Sequence, residues 1–257
     1  MMTMAITPEL VSWWADLSGD YNPVHFEEAD ALRAGASGVF AHGLLVLLAA
    51  QRDLAARMPA VAARPITLRA HFREPVPVGI RVATTFEESG RFFVRDAEGD
   101  KLFISGTCET RAKEPPAAET VETFDPATLS ATVGAVADAL GASTPSWLGL
   151  QAACFARYVD SIDMVETDRL TILQTRHDVT LFEAVDSWGP DSGRPITFQR
   201  GRDEIIRISG AIHLTVRLAA FDGADPLMQL RLDILLRDTT GVDTPPPGDP
   251  AAVAGSA

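Results

Sequence analysis

The sequence predicts an α+β protein made of two copies of one unit, each an antiparallel sheet wrapped round a central helix. Three observations predict it. A helical stretch, His42 to Met58, is apolar on every side through its first two turns, which marks an enclosed helix rather than a surface one. Short runs with strand-like alternation follow it, divided by Gly-rich turns. The same order then returns at nearly the same spacing: Gly43 to Ile66 is 23 residues and Leu148 to Leu170 is 22.

Taken in order, Thr7-Pro8-Glu9-Leu10 opens a short helix with a hydroxyl N-cap, proline at the first helical position and an acid beside it. It runs through Trp13, Trp14 and Leu17 and stops at Ser18-Gly19-Asp20. In Asp20-Tyr21-Asn22-Pro23-Val24-His25, Pro23 pushes Asn22 out of the helical region, so the segment is a loop of defined shape. Gly35 to Gly38 is a second loop, and the apolar helix follows. After Arg64-Pro65 the strand candidates are Ile66–Phe72, Arg81–Phe86, Arg91–Val94 and Leu102–Thr110.

Lys113 to Thr128, with prolines at 115, 116 and 126 and several acids, reads as a linker. The second unit then brings a helix at Trp147–Val159 and strands at Leu170–Glu183, Ile196–Gln199, Glu204–Leu218 and Leu227–Leu236. The repeat is also local. Thr85-Phe86 before Ser89-Gly90-Arg91 is echoed by Thr197-Phe198 before Gly201-Arg202, and Asp96 to Leu102 by Asp222 to Leu227. The expected units are therefore residues 1–112 and 129–238, joined by 113–128 and followed by a disordered tail over 239–257.

Composition removes several classes of function. The 257 residues carry 22 Lys and Arg against 35 Asp and Glu, a net charge of −13, so no basic face is available for nucleic acid. Two cysteines, Cys108 and Cys154, give neither a disulfide framework nor a Cys-based zinc site. The N-terminus shows no signal peptide, and the longest apolar run, Leu44 to Ala50, is too short to cross a membrane. A cytoplasmic protein with no membrane partner is expected. Walker A, Gly-x-Gly-x-x-Gly, paired-His metal and Gly-x-Ser-x-Gly motifs are all absent, so neither metal nor cofactor is expected.

Chemistry concentrates in two segments. Asp20 and His25 stand five apart on a proline-stiffened loop, and Phe40-Ala41-His42-Gly43-Leu44 follows. A carboxylate and an imidazole that reach one spot can hold a water and exchange protons with it. Gly43 lies where a loop becomes the enclosed helix, so its N–H is an unpaired donor at the positive end of the dipole, and a ligand oxygen could approach it without meeting a side chain. Each residue alone also has a structural reading: Asp20 as a turn residue, His25 as a satisfied buried histidine, His42 as a support for the loop. His177-Asp178 invites a dyad reading, but its place in a strand points the two side chains to opposite faces.

Ser18-Gly19-Asp20-x-Asn22-Pro23-Val24-His25 followed by Ala41-His42-Gly43-Leu44 resembles the signature of the MaoC-like, or R-specific enoyl-CoA hydratase, family of hot-dog folds. Phe72 to Val82 resembles that family's strand after the central helix, and the likeness covers about residues 8–111. It implies a double hot-dog in which the second unit is degenerate. In the eukaryotic peroxisomal form the active unit is the second, so the order here is reversed. It further implies that Asp20 acts as base on a water that His25 positions, adding across a trans-2-enoyl thioester or leaving in reverse, while the Gly43 N–H holds the enolate-like oxygen. Asn22 and His42 would join the substrate-binding set. A serine frequent in the family nine residues beyond the helix-start histidine is replaced here by Gln51.

The substrate would be an acyl-CoA or acyl carrier protein thioester. Arg64, Arg69, Arg73, Arg194, Arg200 and Arg202 are candidates for its phosphates, and equally for surface arginines on strand edges. Two such double hot-dogs could pair as a homodimer. A hot-dog thioesterase is the rival enzyme, with Asp53 the one acid on the central helix to serve it. A non-catalytic acyl-binding partner is the rival from outside enzymology.

Overall fold

The computed structural model describes residues 2–57, 65–110, 118–161, 170–208 and 211–238. Met58, Arg64, the start of the expected linker and the expected tail over 239–257 lie outside the described residues. The first unit consists of β1 (Met2–Ala5), α1 (Pro8–Ser18), α2 (Glu28–Arg33), α3 (Gly43–Arg57), β2 (Ile66–Phe72), β3 (Arg81–Phe86), β4 (Arg91–Asp96) and β5 (Leu102–Glu109). The second brings β6 (Ala118–Thr123), α4 (Pro126–Leu140), α5 (Ser146–Asp160), β7 (Leu170–Leu181), α6 (Ala184–Ser187), β8 (Ile196–Gly201), β9 (Glu204–Ile208), β10 (Ala211–Asp222) and β11 (Asp225–Asp238).

Seven apolar residues in a row cover every face of a helix, and α3 is enclosed as that pattern demands: each of Leu44 to Ala50 is at most 4% exposed. Burying a leucine completely is worth roughly 1.5–3 kcal/mol, so α3 is held by its enclosure rather than by its own turns. Helix α5 is its counterpart, buried from Trp147 through Phe155.

All the strands among the described residues form one antiparallel sheet ordered β1-β3-β4-β5-β2-β7-β11-β10-β8-β6, with β9 beside β10. The order reads outward from the β2–β7 seam as 2-5-4-3-1 on one side and 7-11-10-8-6 on the other. Each half thus places the strand after its central helix at the seam, and the fold is a double hot-dog. The seam runs from Ile66 opposite Leu181 to His71 opposite Arg176. Inside it the Thr67 and Thr180 hydroxyls lie 2.9 Å apart, both buried. The turn echoes fall where the symmetry requires, at the ends of β3 and β8 and at the β4–β5 and β10–β11 turns.

Three expectations are corrected. Part of the segment read as linker is structure: β6 pairs with β8, and its acids Glu119 and Glu122 belong to an edge strand. Pro126 starts a helix, with the Asp125 carboxylate accepting from the Thr128 N–H at 2.8 Å. That helix, α4, was missed although Leu129, Val133, Val136 and Leu140 recur at helical spacing and are all buried. The strand expected over Glu204–Leu218 is two antiparallel strands, β9 and β10, with Ile208 opposite Ala211.

Candidate active site

The loop after α1 is built by its own side chains. Gly19 ends the helix in the left-handed region (φ 72°), where only glycine is unstrained, and its N–H caps the Ala15 carbonyl. The Ser18 hydroxyl donates to the Trp14 carbonyl and accepts from the Asp20 N–H. The Asp20 carboxylate accepts from the Asn22 N–H at 3.3 Å, an Asx turn that leads into one 3-10 turn over Pro23–His25. The Asn22 side-chain amide donates to the Ile172 carbonyl at 3.2 Å, fastening this loop to β7 of the other unit.

Two histidines meet behind the loop. His25 donates from Nδ1 to the Phe40 carbonyl at 2.7 Å, which leaves Nε2 with a free lone pair. His42 donates from Nε2 to the Asp20 carbonyl at 2.8 Å. The rings stack with centroids 3.7 Å apart. Burial holds His25 below the usual histidine range, with the Asp20 charge opposing, and drives His42 down to about 2, with His25 adding to the shift. Both imidazoles are therefore neutral at neutral pH. The Asp20, His25 and His42 ligand atoms lie within 4.8 Å of one another.

Gly43 is the first residue of α3, so its N–H has no acceptor inside the helix. Its missing side chain also serves packing: a Cβ there would stand 2.8 Å from Phe72 Cε1, so the Phe72 ring occupies the space. Asp20, Asn22, His25, His42 and Gly43 all line one cavity of about 330 Å³. Its far wall comes from the second unit, through Phe155, Tyr158 and Val159 of α5, Ile172 to Thr175 of β7 and the end of β11.

The arginines divide. Arg73 lines the cavity, donating from Nε to the Ser105 hydroxyl. Arg69, Arg194 and Arg200 do not: they are paired with Glu109 on the neighbouring strand β5, Asp222 at the end of β10 and Asp203 in the turn after β8. Arg202 is not in the lining either. Arg237, which sequence reasoning missed, does line the cavity. So do Gln174 and Thr175, at a bulge where β7 slips against β11 between Asp233 and Ile234. Alternation marked β7 as a strand, but nothing local told which of its residues would face a loop 150 positions earlier. Asp53 lies outside the cavity, paired with Arg52 at 2.7 Å. His177 and Asp178 face opposite sides: Asp178 binds Arg176, while His177 contacts Gln151 and Gln174.

Residues 2–109 match the MaoC like domain family. A mitochondrial 3-hydroxyacyl-[acyl-carrier-protein] dehydratase of Arabidopsis thaliana is 34% identical over 77 residues, which is 30% of this chain and 45% of that protein. The chain thus spans less than half the length of this curated relative. Among solved structures, a protein described as a candidate MaoC domain dehydratase from Chloroflexus aurantiacus superposes with a TM-score of 0.56 at 10% identity, covering 93% of both chains. A conserved hypothetical protein of Mycobacterium tuberculosis with a double hot-dog fold gives 0.54 at 12% identity, covering 91% of this chain and 94% of that one. At those identities the likeness shows the fold.

Proposed function

Since residues 2–109 are a MaoC-like domain, we propose that the protein is a hydro-lyase that adds water across trans-2-enoyl thioesters, or removes it from (R)-3-hydroxyacyl thioesters, carried on CoA or acyl carrier protein. The observation that carries the reading is the convergence of Asp20, His25 and Gly43 on one cavity, with His25 locked in the tautomer that presents Nε2.

In the hydration direction the Asp20 carboxylate takes one proton from a water whose oxygen bonds to C3. His25 Nε2 accepts the water's other O–H and so aims the oxygen. The C2–C3 π pair moves toward the carbonyl, and the Gly43 N–H meets the charge that develops on the thioester oxygen. The proton held by Asp20 passes to C2 on the same face, giving syn addition and restoring the carboxylate. Dehydration is the same path reversed. The thioesterase reading loses its acid, because Asp53 is engaged by Arg52 away from the cavity.

The test follows enoyl-thioester absorbance with crotonyl-CoA for the wild type and for Asp20→Asn. Loss of conjugation with the wild type, and a rate at least about a hundredfold lower with the variant, is the expected result. No turnover of crotonyl-CoA or of longer and carrier-bound enoyl chains would sink the reading in favour of acyl binding without chemistry.

A further inference from the structure

We propose that the second unit is a working partner in the site: Gln174 hydrogen-bonds the polar head of the bound thioester, and His177, clamped between Gln151 and Gln174, fixes the way that carboxamide faces. The assignment rests on the hydratase reading for its substrate, and on the following geometry for its residues.

His177 is 1% exposed and Gln151 is fully buried. A polar pair that deep in a sheet-and-helix core costs stability unless it is hydrogen-bonded, and the ring contacts leave one Gln151 amide atom buried without a partner among the described residues. Gln151 Nε2 lies 3.0 Å from His177 Nε2, and Gln174 Nε2 lies 2.9 Å from His177 Nδ1. Burial drives His177 down to about 4, so at neutral pH its ring has one donor and one acceptor. One glutamine must therefore offer its oxygen and the other its NH2, and the ring sets the two orientations against each other. The chain ends in the cavity. Gln174 lines it and is half-buried.

Position supports a contact with the head of the substrate. In the seam, His71 stands opposite Arg176, so the chain leaving β2 through Phe72 and Arg73 passes beside Gln174. Phe72 is the ring that packs on Gly43. Two residues back along β7, the Ile172 carbonyl holds Asn22 of the catalytic loop. Gln174 thus faces the Asp20–His25 loop and the start of α3 from the opposite half. A thioester carbonyl and the amides of the arm beyond it are the groups a carboxamide there can bond. The bulge at Thr175 re-aims β7 at this point.

The experiment compares Gln174→Ala, His177→Asn and His177→Gln in the full chain. Asparagine places its amide near the position of imidazole Nδ1 and keeps the bond to Gln174. Glutamine reaches the position of Nε2 and keeps only the bond to Gln151. Expected are a loss of about tenfold or more in kcat/KM for Gln174→Ala and His177→Gln, and a value within about threefold of wild type for His177→Asn. Binding of butyryl-CoA, which has no double bond to hydrate, should weaken in the same order, and melting temperatures should not follow that order. Unchanged kcat/KM and affinity in Gln174→Ala, or parallel losses in both His177 variants that track their melting temperatures, would overturn the assignment. If the wild type hydrates nothing, the hydratase reading falls, and the butyryl-CoA titration still decides the role of Gln174.

Discussion

The two halves share a scaffold and differ at the start of the central helix. Helix α3 begins at Gly43 under a loop that carries an acid and a histidine, and a cavity opens there. Helix α5 begins after Pro145 with no side-chain cap, and α4 lies across it: a Cβ on Gly149 would stand 2.5 Å from the Val133 Cα. The Arg52 guanidinium of α3 donates to the Leu140 carbonyl at the end of α4. The glycine at the start of α3 makes room for the Phe72 ring beside the cavity, and Gly149 lets a covering helix seat. The hot-dog frame does not itself open a cavity. Two short segments make it, and the other half has become its wall.

The sharpest way to break the contrast is to add one carbon to each glycine. Gly43→Ala must displace Phe72 at the site, and a loss of kcat/KM of about a hundredfold is expected, with the melting temperature changed by only a few degrees. Gly149→Ala presses on backbone instead. It should lower stability by about 1–3 kcal/mol, read by denaturant titration, while the surviving folded protein keeps its kcat. Equal effects on both measurements in both variants would erase the distinction.

Next in size is the tie between the halves. Asn22→Ala removes the bond to Ile172, and a roughly tenfold fall in kcat with little change in unfolding is expected. Acid should act on both halves. His25, His42 and His177 all have folded pKa values lowered by burial, so the unfolded chain binds more protons below about 6.5. Stability should be steady above that pH and fall below it, by about 2 kcal/mol at pH 5 for each of His42 and His177. His177→Asn should flatten the slope, as followed by thermal melts from pH 8 to 5. The smallest expected effect separates two arginines. Arg237→Gln should raise KM for a CoA ester severalfold, and Arg69→Gln, whose side chain is spent on Glu109, should leave KM unchanged.

Most of the first half was legible in the sequence because its information is local, although β1 and α2 were not read. The all-round apolar run of α3, the Asx-Pro loop and the glycine at the helix start each announce their structure within a few residues. What was missed depends on partners far along the chain. Glu119 and Glu122 look like linker until β8 is seen beside them, and the alanines and threonines of α4 mask four leucines and valines at helical spacing. Gln174 and Arg237 reach the cavity only because β7 meets the first unit at the seam and β11 lies beside it, and no short-range pattern encodes that meeting.

The seam has one more consequence. β2 and β7 belong to the same chain, so the two walls of the cavity meet at an effective concentration set by their covalent connection rather than by how much protein is present. Specific activity should hold constant on dilution, where a site shared between separate chains would fall apart. Fusion also removes the demand that one sequence serve as both catalyst and wall, leaving each half free to specialise.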